Sequence, residues 1–128
     1  MTPIVVAAAV IERDGCFLVT KRQAGVHLEG HWEFPGGKRE PGETIVACLL
    51  RELREELDID VHVGDEIFTM SHTYPDRTVE LHFFACAPSN EPRPQIGQEM
   101  MWVRRDELAS LSFPPADAEL IERLVADR

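Results

Sequence analysis

The sequence predicts a mixed α/β fold in which the strands form one core sheet packed between helices. Short apolar or alternating segments bounded by turn residues are typical of strands. A long amphipathic segment in the middle of the chain and a shorter one near its end are typical of helices. The chain has 128 residues, the size of one domain, so we expect residues 1–128 to form a single domain.

The first half of the chain predicts a hairpin. Residues 3–11 are almost entirely apolar and predict a buried strand, and residues 16–21 predict the antiparallel strand that follows. Asp14-Gly15 between them is a turn signal. A glycine-containing loop over residues 23–31 leads to a short extended segment, 32–34, which must end at Pro35-Gly36-Gly37.

The second half predicts helices at its start and end, with strands between them. Residues 44–57 predict the main helix, and residues 60–70 and 78–87 predict two strands joined by a turn at 74–77. A polar, proline-rich loop over 89–98 precedes a short strand at 100–103. Pro114-Pro115 opens a last helix over 116–126, whose apolar face we expect to comprise Leu120, Ile121, Leu124 and Val125.

The main helix has two distinct faces. Its apolar residues recur at i, i+4, i+7 and i+11 and predict a stripe that docks on the sheet: Val46, Leu50, Leu53 and Leu57. A second stripe lies about 130° around the helix. It consists of Glu52, Glu55 and Glu56. The sequence therefore predicts a packing face and a separate carboxylate face.

Carboxylates at this spacing repel one another, and partial burial would raise their pKa values. A divalent cation removes that cost, and Mg²⁺ commonly binds a few carboxylates together with substrate phosphates. The alternative is a solvated acidic face stabilised by ion pairs such as Arg51–Glu55. The helix by itself leaves both interpretations open.

Glycines in front of the helix favour the metal interpretation. Gly36, Gly37 and Gly42 bracket a loop whose backbone can approach a ligand closely, because no Cβ is in the way. The carbonyl groups of the first two glycines can also face a cation. A glycine loop that leads into a carboxylate-bearing helix suits a site for a metal ion and a diphosphate.

Residues 37–59 resemble the Nudix box, Gx5Ex7REUxEExGU, in which U is a bulky aliphatic residue. Every defined position fits except Asp58, which stands where the box has glycine. That position lies just past the helix, where a left-handed conformation is usual, and Asp tolerates it better than most residues. The segments TKRQAGVHLEGHWEFPGGK, YPDRTVELHFF and SFPPAD extend the resemblance over nearly the whole chain. It is nearest to the MutT-like branch, which hydrolyses nucleoside triphosphates to the monophosphate and pyrophosphate.

The resemblance implies the Nudix fold and a role for each matching residue. The expected ligands of Mg²⁺, or of Mn²⁺ in its place, are the Gly36 carbonyl, Glu52, Glu55, Glu56 and Glu99. The four glutamates form the expected catalytic set, with Glu52 as the favoured general base. The expected support of the site comes from Gly37, Glu43 and Arg51. The expected contacts to the triphosphate come from Arg22, His27 and Arg77.

The base of the nucleotide is expected between apolar side chains, supplied by Phe34, Tyr74 and Phe113. Asp117 stands where the MutT motif FPPAN has asparagine. An ionised Asp only accepts hydrogen bonds, so it could bind the N7–H of 8-oxoguanine or the amino group of cytosine. Asp117 could instead cap the last helix. All three interpretations remain open at this point.

The net charge of −10 disfavours a nucleic-acid polymer as partner, because such partners need cations that neutralise phosphates. The N-terminal apolar run is too short for a membrane span and lacks a basic segment before it, so we expect a cytoplasmic protein. Cys16, Cys48 and Cys86 form no metal or redox motif and predict small buried residues in a reducing compartment. Nothing in the sequence demands a dimer, and we expect a monomer.

The most specific hypothesis is a Mg²⁺-dependent hydrolase of nucleoside triphosphates that removes oxidised nucleotides such as 8-oxo-dGTP. One alternative is a pyrophosphohydrolase of CTP or 5-methyl-dCTP. Another is a Nudix enzyme for a different diphosphate-linked nucleoside, such as a nucleotide sugar. A non-catalytic nucleotide-binding domain is a further alternative, but such a domain would not need the intact set of Glu52, Glu55 and Glu56.

Overall fold

The computed structural model describes residues 2–127. Within this range the strands are β1 (Ile4–Arg13), β2 (Cys16–Lys21), β3 (Trp32–Glu33), β4 (Gly36–Lys38), β5 (Val61–Tyr74), β6 (Arg77–Pro88) and β7 (Met100–Arg104). The α-helices are α1 (Ile45–Leu57) and α2 (Ala118–Ala126). Two short 3₁₀ helices cover Arg105–Ser110 and Pro115–Asp117. No helix in this range is long and apolar enough to cross a membrane.

The strands form a mixed sheet centred on β1. Its order is β3-β2-β1-β6-β5, with β4 paired to β1 and β7 paired to β2. β1 runs parallel to β6, and the remaining strand pairs are antiparallel. The end of β1 turns back into β2 through Asp14 and Gly15, whose φ angles of 53° and 78° are the left-handed values that an Asp-Gly turn adopts.

Helices cover both faces of this sheet. On one face, α1 packs on alternate residues of β1 and β6: Ala7, Ala9, Ile11, Phe84 and Cys86. On the other face, α2 buries Leu120, Ile121 and Leu124 against the opposite set of strand residues, which includes Ala8, Val10 and Phe83. The alternation along β1 and β6 therefore supplies two cores. This is the mixed sheet between helices that the sequence predicts.

Several element boundaries differ from the prediction. Residues 36–38, which we expected to be only a turn, pair with β1 as β4. A Cβ at Gly36 would lie 2.0 Å from the Ala7 carbonyl oxygen, so only glycine allows this approach. β5 and β6 extend to Tyr74 and Arg77, which leaves a two-residue hairpin turn. The last helix begins as a 3₁₀ turn at Pro115 before α2 starts at Ala118.

The C-terminal end of α1 behaves as the sequence predicts, and the helix begins one residue later than predicted. Thr44 is the N-cap, and its hydroxyl accepts a hydrogen bond of 3.0 Å from the Ala47 backbone N–H. Asp58 takes the left-handed conformation at the C-terminal end, with φ 49° and ψ 38°. Asp at this position of the Nudix box thus keeps the backbone geometry that glycine usually provides.

The buried face of α1 differs from the predicted stripe. Leu53 and Leu57 are buried as expected, but Val46 is 41% exposed and Leu50 is only half-buried. The other buried residues are Cys48 and Leu49, so the packed face is rotated about 50° towards the carboxylates. The helix therefore carries part of its acidic stripe into the edge of the protein interior.

Candidate active site

A cavity of about 380 Å³ opens beside the carboxylates of α1. Its wall is formed by residues of strands β1, β4 and β6, the loop between β2 and β3, helix α1 and the 3₁₀ turn before α2. The structure brings ten of the predicted site residues to this wall: Arg22, His27, Phe34, Gly36, Gly37, Glu52, Glu56, Tyr74, Arg77 and Asp117. The other five lie outside it: Glu43, Arg51, Glu55, Glu99 and Phe113.

Glu52 and Glu56 are the half-buried carboxylates of α1. Burial raises the pKa of Glu56 to about 8, and the negative charges of Glu33 and Glu52 add to this effect. Burial also raises the pKa of Glu52, against the opposing effect of Arg51. The rotated packing of the helix is the cause, because it withdraws both side chains from water. Protein cations compensate only part of the negative charge of this site, since Arg51 pairs with Glu52 and Arg22 with Glu33.

Glu55 belongs to the same stripe but lies on the solvent side of the helix. Its side chain is 58% exposed, and its Oε2 is 3.2 Å from Arg51 Nη1. The three glutamates are therefore not equivalent, because two face the cavity and the third pairs with an arginine at its rim.

Arg51 connects the loop in front of α1 to the helix carboxylates. Its Nε and Nη2 donate to the two oxygens of Glu43, at 2.7 and 2.9 Å, and Nη1 donates to Glu52 at 2.9 Å. Nη2 also donates to the Lys38 carbonyl at 3.0 Å. The bonds from Arg51 lower the pKa of Glu43 to about 2. A two-pronged pair of this kind fixes the guanidinium, and through it the Glu52 carboxylate.

Gly37 lies directly against that carboxylate. A Cβ at this position would be 2.3 Å from Glu52 Cδ and 2.4 Å from Oε2. β4 therefore supplies a surface without a side chain on which Glu52 rests, opposite the bond from Arg51. The position of this carboxylate depends on both contacts.

Arg22 is one of the cations that line the cavity. Its Nη1 donates to Glu33 Oε2 at 2.6 Å, and its Nε donates to the His27 carbonyl. The His27 ring meets Tyr74 edge to face, with the ring centroids 4.8 Å apart. Within residues 2–127, His27 Nε2 is buried and has no hydrogen-bond partner. Arg77 lies beyond Tyr74, with its Nη2 2.9 Å from Asp76.

Asp117 is only 5% exposed and forms part of the cavity wall. Its side chain makes no capping hydrogen bond, so the interpretation as a helix cap is wrong. The reason is the 3₁₀ turn, which gives Asp117 helical φ and ψ angles and directs the chain into α2 before a cap geometry can form. Burial raises the pKa of Asp117 to about 7, with a further contribution from Glu33.

The apolar side of the cavity is formed in part by Phe34. Phe113 stacks on Phe34, with the ring centroids 5.4 Å apart, but does not reach the wall itself. It supports Phe34 from behind, so only Phe34 and Tyr74 of the three predicted clamp residues are available to a ligand in the cavity.

The comparison with known proteins agrees with this geometry. A family model described as NUDIX domain matches residues 6–123. The chain belongs to the Nudix family. Over its full length it is 37% identical to a protein of Escherichia coli (strain K12) named CTP pyrophosphohydrolase, of which 96% is covered. It is 38% identical to a Haemophilus influenzae protein named 8-oxo-dGTP diphosphatase, with 95% of this chain and 91% of that protein covered.

A solved structure supports the same assignment at the level of the fold. The solution structure of the Escherichia coli ORF135 protein superposes with a TM-score of 0.86 and 36% sequence identity, over 98% of this chain and 91% of that one. The predicted resemblance is therefore confirmed. The protein is a MutT-like Nudix hydrolase, an enzyme that acts on phosphorus anhydrides.

One predicted ligand of this Nudix hydrolase lies apart from the others. Glu99 precedes β7, its side chain is 69% exposed, and its Oε2 is 3.4 Å from Lys21 Nζ. The neighbouring Gln98 points inwards instead, and its Nε2 donates to the Glu56 carbonyl at 2.9 Å. Adjacent residues of an extended segment face opposite sides. If the match to the Nudix pattern is shifted by one residue here, the inward-facing position is 98 and not 99.

Glu33 is the site residue that the sequence reasoning missed. It lies on the cavity wall, and burial raises its pKa against the opposing charge of Arg22. The sequence contained an indication of this role. Glu33 stands between two aromatic residues in a short segment that we expected to be extended, and a carboxylate is unusual there in a purely structural strand.

The residues present fit a hard divalent cation. Among residues 2–127, no three His, Cys, Asp or Glu side chains already converge on one point where a metal could sit. Mg²⁺ does not require such a cage, because it keeps several waters and binds through one or two carboxylates and substrate phosphates. Glu52 and Glu56 offer oxygen ligands, and burial raises the pKa of both, so a bound cation would favour their ionised forms.

Proposed function

We propose that this Nudix hydrolase cleaves nucleoside triphosphates to the monophosphate and pyrophosphate, with Mg²⁺ or Mn²⁺ as cofactor. One observation carries the proposal. The buried Asp117 carboxyl group, the Arg22 guanidinium and the Glu52 and Glu56 carboxylates share one cavity of about 380 Å³. One bound nucleotide could therefore reach both Asp117, which can hydrogen-bond its base, and the charged groups that can assist hydrolysis of its phosphate anhydride.

The carboxylates are assigned to the metal and to the proton transfer. Glu52, Glu55, Glu56 and the Gly36 carbonyl are the proposed metal ligands, because they lie together on α1 and the adjoining β4. Glu99 is left out because it lies on a separate segment before β7, where its side chain pairs with Lys21. When bound, the metal neutralises phosphate oxygens and lowers the pKa of a bound water. Glu52 is the proposed general base, and Arg51 and Gly37 hold its carboxylate in a fixed position.

The arginines are assigned to the triphosphate. Attack on a polyphosphate is slow because its negative charge repels a nucleophile, so cations near the phosphates lower the barrier. Arg22 and Arg77 both line the cavity and can donate several hydrogen bonds to phosphate oxygens. Each already has a carboxylate neighbour, Glu33 and Asp76, that restricts its orientation.

The first candidate substrate is 8-oxo-dGTP, and the proposed role is removal of oxidised nucleotides from the pool. With a pKa of about 7, Asp117 carries a proton on a large share of molecules near neutral pH. A neutral carboxyl group both donates and accepts, as the asparagine of the MutT motif does. The oxidised purine presents an N7–H donor beside its O6 acceptor, which matches that pair. Phe34 supplies an apolar surface for the ring.

The second candidate is a cytosine nucleotide, CTP or 5-methyl-dCTP. The Escherichia coli relative named CTP pyrophosphohydrolase, 37% identical across this whole chain, favours it. Cytosine presents an amino donor beside the N3 acceptor, so Asp117 can pair with it in either protonation state, although an ionised carboxylate would only accept. The two candidates differ in the ring that must fit against Phe34.

The test is kcat/KM for 8-oxo-dGTP, dGTP, CTP and 5-methyl-dCTP with Mg²⁺, followed by release of pyrophosphate. We expect pyrophosphate and no inorganic phosphate as the first product, with 8-oxo-dGTP preferred. A preference for the cytosine nucleotides selects the second candidate. The variant E52Q should lose at least a hundredfold in kcat, and full turnover by it would reject Glu52 as the base. Turnover of nucleotide sugars alone would reject the proposal itself.

A further inference from the structure

Glu33 lies between two neighbouring cavities. It lies on the wall of the main cavity and on that of a smaller neighbouring cavity of about 170 Å³, and Arg22 and Glu56 border both cavities as well. The wall between them therefore includes the Arg22–Glu33 ion pair. Glu33 is close enough to Glu56 and Asp117 to raise their pKa values, so it sits among like charges.

This placement is unfavourable for stability. A half-buried carboxylate beside two others adds repulsion and desolvation, and Arg22, its cationic partner, is partly exposed. An apolar or amide side chain would form the same wall at lower cost. A charged residue retained in such a position is commonly functional.

Backbone hydrogen bonds hold Glu33 beside Arg22. β3 pairs with β2 so that Glu33 lies opposite Thr20 and Trp32 opposite Lys21. The strand is held at its outer edge by the Trp32 N–H, which donates to the Ser112 carbonyl at 2.7 Å. The Arg22 N–H donates to the His31 carbonyl at 2.9 Å, which ties the two chain segments together just beside the ion pair.

The hydrogen bonds of Arg22 show what this arrangement does. A guanidinium has five N–H donors. One, on Nε, is used by the His27 carbonyl, and one, on Nη1, is used by Glu33 at 2.6 Å. Within residues 2–127, Nη2 donates to no protein atom. The two contacts hold opposite sides of the planar group and leave its remaining donors for a ligand in the cavity.

We propose that Glu33 is a positioning residue that orients the Arg22 guanidinium towards the phosphate groups of the substrate. This inference rests on the proposed function for the identity of the anion, and it adds a residue that acts only through Arg22. A hydrogen bond to Arg22 is sufficient for this role, so an amide at position 33 should largely preserve it. Loss of the side chain should let Arg22 rotate and weaken phosphate binding in the ground state and transition state alike.

The experiment measures binding of inorganic tripolyphosphate with Mg²⁺ by titration calorimetry, together with KM and kcat for nucleoside triphosphates. E33A should weaken binding and raise KM about tenfold, with kcat changed less than threefold. E33Q should return both values to within about threefold of the wild type. E119A, which removes an exposed Arg123–Glu119 pair at 2.7 Å, close to the 2.6 Å of the Arg22–Glu33 pair, is the matched control and should change neither value.

The double variant R22A/E33A distinguishes positioning from a general structural effect. If Glu33 acts through Arg22, the double variant should bind tripolyphosphate no more weakly than R22A alone. An E33A penalty of equal size in both backgrounds would overturn the proposal, as would unchanged binding in E33A or a failure of E33Q to restore it. A wild type that binds no tripolyphosphate would overturn it too. A wild type that binds tripolyphosphate but hydrolyses no nucleoside triphosphate would reject the proposed function alone, because the binding comparison still tests Glu33.

Discussion

The substitution Gly37→Ala tests how closely catalysis depends on the position of one carboxylate. A Cβ at Gly37 would lie 2.3 Å from Glu52 Cδ, whereas ordinary contacts begin at 3.4 Å. The Glu52 carboxylate must therefore move by about 1 Å, the difference between these two distances. Such a movement disturbs the geometry of its 2.9 Å bond from Arg51 Nη1 and takes the proposed base out of line with its water.

The expected loss of activity is large and the expected loss of stability small. A misplacement of about 1 Å costs on the order of a hundredfold in rate. This corresponds to about 2.7 kcal/mol in the activation free energy. Gly37 does not have a positive φ angle, so alanine fits its backbone. The alanine also reduces the entropy of the unfolded chain by about 0.4–1 kcal/mol, which offsets part of the crowding.

The assay compares kcat/KM for pyrophosphate release with the melting temperature of the same preparation. Gly42→Ala is the matched control, because its φ of 83° makes alanine strained while nothing lies within 4 Å of the added Cβ. We expect the control to lower the melting temperature and keep its activity. We expect Gly37→Ala to lose activity with little change in melting temperature. A folded Gly37→Ala protein with wild-type kcat/KM would refute the role assigned to the Glu52 position.

Three further predictions concern charged groups. Arg51→Lys removes the two-pronged bond to Glu43 and should lower kcat at least tenfold in steady-state assays, with an unchanged kcat as the contrary result. Asp117 carries its proton below about pH 7, so KM for 8-oxo-dGTP should rise as the pH increases through 7 in the wild type and stay level in Asp117→Asn; parallel profiles would contradict this. Burial lowers the pKa of His82, but its hydrogen bonds to Glu66 and Glu80 outweigh this and raise it above the ordinary value. The imidazolium therefore stabilises the fold at low pH, and the wild type should lose more stability than His82→Gln as the pH rises through that raised pKa, measured by urea denaturation at pH 5.5 and 8.

The helical segment of α1 and the left-handed residue after it followed directly from the sequence, whereas the N-cap was seen only in the structure. Thr44 caps the helix and Asp58 ends it in the left-handed conformation because both depend on a few neighbouring residues. The hairpin turn at Asp14-Gly15 is equally local. The acidic stripe and its spacing are visible in the sequence for the same reason, since positions on a helix are fixed by its period.

The depth to which each carboxylate is buried could not be predicted in this way. The apolar positions 46 and 50 suggested a stripe far from the glutamates, yet the helix packs on Cys48 and Leu49. The sheet decides this rotation, because small residues of β1 admit one side of the helix more closely than another. As a result Glu52 and Glu56 enter the cavity, whereas Glu55 remains in solvent.

Contacts between distant segments were also hidden from the sequence. Asp117 meets the cavity, and not the end of its helix, because a 3₁₀ turn precedes α2. Glu33 meets Arg22 because β3 pairs with β2.

The sequence by itself determined the family, the main elements and the set of charged residues, since motif spacing and hydrophobic period are properties of short segments. Only the tertiary structure decided which of those charges face one cavity, because strand pairing and helix rotation depend on the packing of the whole chain.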